Sequence, residues 1–160
     1  MAIPLIVNGA HGRMGRTILT LAASDPRFAI VAGVNRVAGS LRELGIASDA
    51  PILTSLPAHA GAVVIDFSHH AAFAAVARHC AQARMALVSG TTGVAPAVIE
   101  QELSAAAPQV AVLWAANMSV GVNVVLASAA RGAWRWSAAP PASVRRSSTR
   151  SWPRPRRASR

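Results

Sequence analysis

The sequence predicts an α/β fold in which helices cover both faces of a parallel β-sheet. Short runs of Val, Ile and Leu alternate with longer alanine-rich stretches of helical pattern along most of the chain. Several of the apolar runs are continuous, which is typical of parallel strands buried on both faces. The first run also leads directly into a glycine-rich turn and a helix. Repeated strand–helix–strand units of this kind build parallel sheets with right-handed crossovers.

Five strands and three helices follow from this pattern. We expect strands at residues 5–8, 30–35, 63–67, 86–89 and 110–114, and helices at residues 14–23, 70–83 and 97–106. Ser68 is placed to cap the second helix, and Pro96 suits the first turn of the third. Residues 36–54 are interrupted by two glycines and a proline, so we expect a loop with at most a short helix there.

Charge and composition divide the chain into two parts. The net charge is +10, but up to Leu126 seven arginines are matched by six acidic residues, whereas residues 127–160 hold nine arginines and no acidic residue. This second part consists almost wholly of Ala, Arg, Ser, Pro and Trp and has no helical or strand periodicity. We therefore predict a folded domain over residues 1–126 and a disordered basic tail over residues 127–160.

Several other classes of protein and site are not expected. The apolar runs are too short to span a bilayer, and the first residues lack the pattern of a signal peptide. The single cysteine, Cys80, cannot form an internal disulfide and is expected to fill the core. We interpret His69 and His70 as helix-start residues and expect no metal site, since no second ligand cluster accompanies them. These features predict a soluble, cytoplasmic protein.

The glycine-rich turn after the first strand carries the main functional signal. Gly9, Gly12 and Gly15 have the spacing G-x-x-G-x-x-G between a predicted strand and a predicted helix. Gly9 suits the tight turn, Gly12 lets the backbone approach a diphosphate, and Gly15 lets the helix pack against the sheet. The free N–H groups and the dipole of the helix would attract the diphosphate. A plain glycine turn is the alternative, but the flanking strand and helix favour a Rossmann-type dinucleotide-binding domain.

The end of the second predicted strand bears on the choice of cofactor. Twenty residues after Gly15, a carboxylate would bind the ribose hydroxyls of NAD and repel a 2′-phosphate. This chain has Asn35 and Arg36 there. Asn35 removes the repulsion, and Arg36 can pair with a phosphate. We therefore expect NADPH to be preferred over NADH, the alternative being that Arg36 only solvates a loop.

Three further segments follow predicted parallel strands at their carboxyl ends, where open α/β sheets place their ligands. They are DFS at residues 66–68, SGTTG at residues 89–93 and AANMSVGVN at residues 115–123. Together with GRMGR at residues 12–16, these segments resemble those of the 4-hydroxy-tetrahydrodipicolinate reductase family of the diaminopimelate route to lysine. The resemblance is collinear from about residue 3 to residue 126.

The resemblance implies a reaction and a set of cofactor residues. The reaction is the NAD(P)H-dependent reduction of 4-hydroxy-tetrahydrodipicolinate, a small dicarboxylate, to tetrahydrodipicolinate. Family members commonly carry an acidic residue where Asn35 stands. The residues implied are, for the diphosphate, Gly9, Ala10, His11, Gly12, Arg13 and Met14; for the adenosine ribose and any 2′-phosphate, Asn35 and Arg36; and for the nicotinamide pocket, Gly90, Thr91, Thr92, Ala115, Ala116, Asn117 and Met118.

The resemblance ends near Leu126. The family continues into a second domain, where a His-His-x-x-Lys stretch supplies proton transfer and substrate positioning and a Ser-Gly-Thr segment holds the substrate carboxylates. This sequence has neither segment and no lysine, so no catalytic residue is assigned. Most contacts of the family's homo-oligomer lie in that second domain as well. We therefore expect the chain by itself to be inactive.

The composition of residues 127–160 leaves two explanations open. A frameshift near the codon for Leu126 would account for it, because a GC-rich coding sequence read out of frame yields Arg, Ala, Pro, Ser and Trp. The alternative is a natural basic tail that binds nucleic acid or an anionic surface through its arginines and through Trp134, Trp136 and Trp152. The function hypotheses are thus a reductase, a non-catalytic NADP-binding module, and nucleic-acid binding through the tail alone.

Overall fold

The structure is a computed structural model that describes residues 1–119, and within them seven strands form one sheet. The strands are β1 (Ile3–Asn8), β2 (Phe28–Val34), β3 (Gly39–Ser40), β4 (Pro51–Leu53), β5 (Val63–Asp66), β6 (Ala86–Ser89) and β7 (Val112–Trp114). The helices are α1 (Arg13–Ala23), α2 (Phe73–Gln82) and α3 (Pro96–Ala106), with short 3₁₀ helices at Arg42–Leu44 and His70–Ala72. All five expected strands and all three expected helices are present, with ends shifted by at most three residues.

The strand order places a topological switch point beside β1. The sheet runs β3-β4-β2-β1-β5-β6-β7, and every pairing is parallel except that of β3 with β4. The chain adds β2, β4 and β3 on one side of β1 and then crosses back to add β5, β6 and β7 on the other side. Five strand ends lie side by side in register, namely Val34, Asn8, Asp66, Ser89 and Trp114. Ligands of open α/β sheets bind above such an edge at the switch point.

Two apolar clusters, one on each face of the sheet, hold the helices in place. Leu5 and Val7 of β1 pack with Leu19 of α1 on one face. Ile6, which points the other way, packs with Cys80 of α2 on the opposite face. This alternation is what the pleat of a strand requires, and it confirms that helices cover both faces of the sheet.

Residues 36–54 differ from the expected loop. β4 pairs in parallel with β2 through Gly33 and Ile52, and β3 adds an antiparallel edge. Ile52 is fully buried in the cluster that contains α1. The expectation of a loop is therefore wrong for β3 and β4, whereas the short helix that it allowed is present as the 3₁₀ helix Arg42–Leu44. A strand of three residues is too short to show a recognisable hydrophobic pattern. Its first residue is also a proline, which donates no backbone hydrogen bond and is therefore found mainly at edges and at the starts of strands.

The start of the second helix also differs from the expectation. Residues His70–Ala72 form a 3₁₀ turn before α2, and the capping residue is His69, whose Nδ1 accepts a hydrogen bond from the Ala71 N–H (3.3 Å). The prediction that Ser68 caps this helix is therefore wrong. Pro96 does occupy the first turn of α3, as expected.

Several predictions fall on residues 120–160, outside the part of the chain that the structure describes. They are the domain boundary at residue 126, the disordered tail, its frameshift origin and its binding of nucleic acid. Within residues 1–119, no helix has both the length and the apolar character needed to cross a membrane.

Candidate functional site

The chain leaves β1 through a turn that has no room for a side chain at Gly9 or Gly15. Gly9 has a φ of +89°, and a Cβ there would lie 2.7 Å from the carbonyl oxygen of Phe67. At Gly15, a Cβ would come within 2.2 Å of the carbonyl oxygen of Gly9. The N–H of Gly12 donates to that same oxygen (2.9 Å) and closes the turn. Glycine therefore lets α1 pack directly against the turn, as the spacing of the motif predicts.

Helix α1 begins at the glycine turn with its N-terminus uncapped by any side chain. Gly12 is the N-cap residue, and the first turn of α1 contains no acidic residue. The first N–H groups of an α-helix have no carbonyl partner within the helix. Together with the helix dipole, they attract an anion. This end of α1 is therefore suited to a phosphate group.

A cleft of about 1160 Å³ opens above the carboxyl ends of β1, β2 and β5. It brings together five of the residues predicted from the sequence, namely Gly9, His11, Gly12, Asn35 and Arg36. The glycine turn and the end of β2 are tied to each other, because the N–H groups of Gly9 and Ala10 both donate to the Val34 carbonyl (2.9 and 3.0 Å). The residues predicted for the phosphate and those predicted for the ribose thus line one continuous groove.

The other predicted residues do not line this cleft. Ala10 is buried in the core, and Arg13 and Met14 are exposed on the first turn of α1. The remaining seven lie after β6 and β7, farther along the same edge of the sheet: Gly90, Thr91, Thr92, Ala115, Ala116, Asn117 and Met118. Two groups of predicted residues therefore lie along one edge, as an extended ligand would require.

A buried carboxyl group connects the loops at this edge. Asp66 is fully buried at the end of β5. Its Oδ1 accepts hydrogen bonds from Asn8 Nδ2 (3.0 Å) and from the Ser68 N–H (3.1 Å). Its Oδ2 accepts from Ser89 Oγ (3.0 Å) and from Thr91 Oγ1 (2.8 Å). The side chain of Thr91 thus faces the protein interior, and Asp66 fixes the loops that follow β5 and β6.

Close packing fixes the loop after β6 further. Gly90 lies against the ring of Phe67, and a Cβ on Gly90 would come within 2.2 Å of Phe67 Cε1. The Trp114 Nε1–H donates to the Thr91 carbonyl (2.9 Å) and connects this loop to β7. Thr92 remains exposed at the surface. The loop is therefore held from both sides before any ligand binds.

Sequence reasoning did not assign the other residues that line the cleft. They are Asn8, Val34, Val37, Thr54, Phe67, Ser68, His69 and Ala72. Phe67 and Ser68 belong to the DFS motif and His69 follows it, so their position after a parallel strand was the signal that could have identified them. Among residues 1–119, no group of three or more His, Cys, Asp or Glu side chains could hold a metal ion.

The features of the cleft fit a dinucleotide. The glycine turn leaves no room for a Cβ at Gly9 or Gly15, and the uncapped start of α1 provides N–H groups for phosphate. The hydroxyl of Ser68 is buried without a hydrogen-bond partner among the described residues. No acidic residue is present among the residues that line the described cleft.

This chain is similar in sequence to a family of known reductases. The family model described as "Dihydrodipicolinate reductase, N-terminus" matches residues 3–118. The 4-hydroxy-tetrahydrodipicolinate reductase of Nitratidesulfovibrio vulgaris is 41% identical over 129 residues, which cover 79% of this chain and 49% of that protein. The reductase of Thermomicrobium roseum is 46% identical over 128 residues, covering 76% and 48%. The chain thus spans about half the length of the curated relatives it matches.

Solved structures share the fold at low sequence identity. The dipicolinate-bound dihydrodipicolinate reductase from Paenisporosarcina sp. TG-14 has a TM-score of 0.64 at 18% identity, covering 82% of this chain and 53% of that one. The WlbA dehydrogenase from Thermus thermophilus, in complex with NAD and alpha-ketoglutarate, has a TM-score of 0.59 at 10% identity, covering 81% and 47%. Because the family model matches most of its length, the chain belongs to the dihydrodipicolinate (4-hydroxy-tetrahydrodipicolinate) reductase family.

Proposed function

We propose that this chain is the cofactor-binding half of an NAD(P)H-dependent 4-hydroxy-tetrahydrodipicolinate reductase and that it binds NADPH in preference to NADH. The observation that carries the proposal is the cleft in which the glycine turn and the Asn35–Arg36 pair lie together. When bound, a reduced nicotinamide supplies the hydride that, with loss of water, converts the substrate to tetrahydrodipicolinate.

The residues of the cleft would divide the cofactor between them. The first N–H groups of α1 would hold the diphosphate, and Gly9 and Gly12, which have no side chains, would let it approach the turn. Asn35 is half-buried, and its N–H donates to the Leu53 carbonyl (2.9 Å), which fixes the backbone at the end of β2. The adenosine ribose would bind beside this residue. The loops after β6 and β7 would receive the nicotinamide, largely through backbone groups.

The preference for NADPH is supported by the charges around Arg36. This side chain is exposed at the cleft and forms no ion pair with any residue in the range 1–119. The 2′-phosphate of NADPH would therefore meet an arginine without a competing carboxylate. Charge-assisted hydrogen bonds of this kind are worth about 1.5–3 kcal/mol, less where water screens them.

Titration of the 160-residue chain with NADPH and NADH tests the proposal, and Arg36→Ala is the critical variant. We expect the parent to bind NADPH more tightly, and Arg36→Ala to lose most of that preference while its affinity for NADH changes little. Arg27→Ala is the matched control, because Arg27 pairs with Asp25 at the start of β2, at the opposite edge of the sheet. Equal affinities of the parent for the two cofactors would contradict the preference.

We also propose that the chain by itself does not turn over the substrate. The family's proton transfer and substrate positioning depend on a histidine and a lysine in a stretch that has no counterpart here, and the sequence contains no lysine. The titratable side chains that line the described cleft are His11, Arg36 and His69. The cleft therefore offers groups for binding phosphate and no pair suited to that chemistry.

A further inference from the structure

The hydroxyl group of Ser68 lacks a partner in a place where partners are expected. Its Oγ is buried and has no hydrogen-bond partner among residues 1–119. A buried hydroxyl without a partner costs folding free energy, so native structures rarely keep one without a reason. Capping of the following 3₁₀ turn is not that reason, because His69 accepts the capping hydrogen bond.

The position of Ser68 is fixed beside the glycine turn. Its N–H donates to Asp66 Oδ1 (3.1 Å), and three further hydrogen bonds hold that carboxyl group in place. The backbone nitrogen of Ser68 would lie 3.3 Å from a Cβ placed on Gly9. Ser68 also lines the cleft that contains Gly9 and Gly12. The residue thus borders the backbone that would hold the diphosphate.

A serine hydroxyl can change its partner by rotation about the single Cα–Cβ bond. The backbone of Ser68 stays in place during this rotation, because its N–H remains bonded to Asp66. The hydroxyl loses no protein hydrogen bond when it turns toward the cleft, since it makes none in the described part of the chain. An anionic oxygen in the cleft would therefore gain a donor without breaking an existing contact.

We propose that the Ser68 hydroxyl donates a hydrogen bond to the diphosphate bridge of the bound dinucleotide. The inference rests on the proposed function, because it assigns a binding residue to the same cleft. The diphosphate is the part of the cofactor that would lie over β1, between the ribose site beside β2 and the loop after β6. Ser68 follows β5, the strand next to β1 on that side.

Replacement of Ser68 by alanine should change stability and affinity in opposite directions. Without ligand, Ser68→Ala should be at least as stable as the parent, because it removes a buried hydroxyl that has no partner. Its Kd for NADPH should rise roughly ten- to a hundredfold, the effect of losing a hydrogen bond to a charged group. The same loss should be seen with 2′-phospho-ADP-ribose, which contains the diphosphate and lacks nicotinamide.

Two serine variants of the full 160-residue chain serve as controls for urea unfolding and for calorimetric titration. Ser89→Ala removes a buried hydroxyl that does have a partner, Asp66, so it should lower the unfolding midpoint. Ser104→Ala, on the exposed side of α3, should change neither quantity.

The outcomes separate the inference from the proposed function. A Ser68→Ala variant that binds NADPH like the parent overturns the inference, and so does one that loses stability as Ser89→Ala does. A loss of affinity confined to NADPH, with 2′-phospho-ADP-ribose unaffected, overturns the assignment to the diphosphate. A parent chain that binds neither NADPH nor NADH rejects the proposed function, and the inference falls with it.

Discussion

Asp66 shows how a residue that need not touch a ligand can determine the shape of a candidate binding site. Four donors from four separate positions along the chain meet on its two oxygens. Because these donors belong to the end of β1, the end of β6 and the loops after β5 and β6, the carboxyl group fixes their relative positions. Its burial means that water cannot replace a lost partner.

Asp66→Asn should therefore be strongly destabilising although it conserves shape. Turned toward the N–H groups of Asn8 and Ser68, the amide NH₂ would leave two donors unpaired. Turned toward the hydroxyls of Ser89 and Thr91, it would force both to reorient and accept. Either arrangement loses hydrogen bonds to a carboxylate, which are worth about 1.5–3 kcal/mol each. We expect the free energy of unfolding in urea to fall by about 2 kcal/mol or more. Asp49→Asn is the matched control, because Asp49 pairs with Arg42 at the exposed surface, where an ion pair contributes little. Equal effects of the two substitutions would show that the Asp66 network is not needed for the fold.

At the scale of elements, helix α2 contributes a buried thiol, and ionisation of this thiol would destabilise the folded state. Cys80 packs between α2 and the sheet and is fully buried. Burial, with a smaller contribution from the negative charge of Asp66, raises the pKa of the thiol from its ordinary value of 9.0 to about 12. Thiolates are the reactive form of cysteine, so folded Cys80 should resist thiol reagents at neutral pH.

A pH dependence of stability follows from this raised pKa. In the unfolded chain the thiol ionises near its ordinary pKa, whereas in the folded chain it stays protonated. Stability is therefore fully present below pH 9 and falls as the pH rises toward 12, by up to about 1.4 kcal/mol per pH unit. The chain has no Lys and no Tyr, so Cys80 is the side chain that titrates in this range. The dependence of the unfolding free energy on pH is measured by urea unfolding between about pH 8.5 and 11, a range that covers most of the interval between the two pKa values. Cys80→Ala should give a flat profile, and a flat profile for the parent would contradict the expectation.

The elements also show what could be predicted from the sequence. β1, β5 and β6 were predictable because each is a continuous apolar run, which the burial of both faces of a central parallel strand requires. β4 was not predictable from the sequence. It pairs with β2 because Ile52 is buried in the folded core, and a segment of three residues is too short to reveal that burial in its hydrophobic pattern. The same limit applies to the candidate site. The spacing of Gly9 and Gly12 predicts a phosphate turn, whereas the meeting of Asn8, Ser89 and Thr91 on Asp66 depends on the register of neighbouring strands.

At the scale of the whole molecule, the proposed binding of NADPH and the proposed lack of substrate turnover can be measured separately on the same purified protein. The cleft and the loops after β6 and β7 lie along a single edge of the sheet, so a bound dinucleotide would connect most of the strands. A ligand present at a hundred times its Kd stabilises the folded state by about 2.7 kcal/mol. We therefore expect NADPH at that concentration to raise the free energy of unfolding by about this amount.

The same preparation, given enzymatically generated substrate, should not oxidise NADPH. Holding the acceptor against the nicotinamide can lower a barrier by roughly 7–11 kcal/mol, and general acid–base catalysis typically adds about 10²–10⁴-fold. The proposed cofactor groove lies within residues 1–119, whereas the sequence contains no lysine to fill the role that the family resemblance implies. The absorbance of NADPH over time is the measurement, and the full-length reductase of Nitratidesulfovibrio vulgaris is the positive control. Turnover within tenfold of that enzyme would contradict the expectation, because it would require substrate-binding and proton-transfer groups elsewhere in these 160 residues.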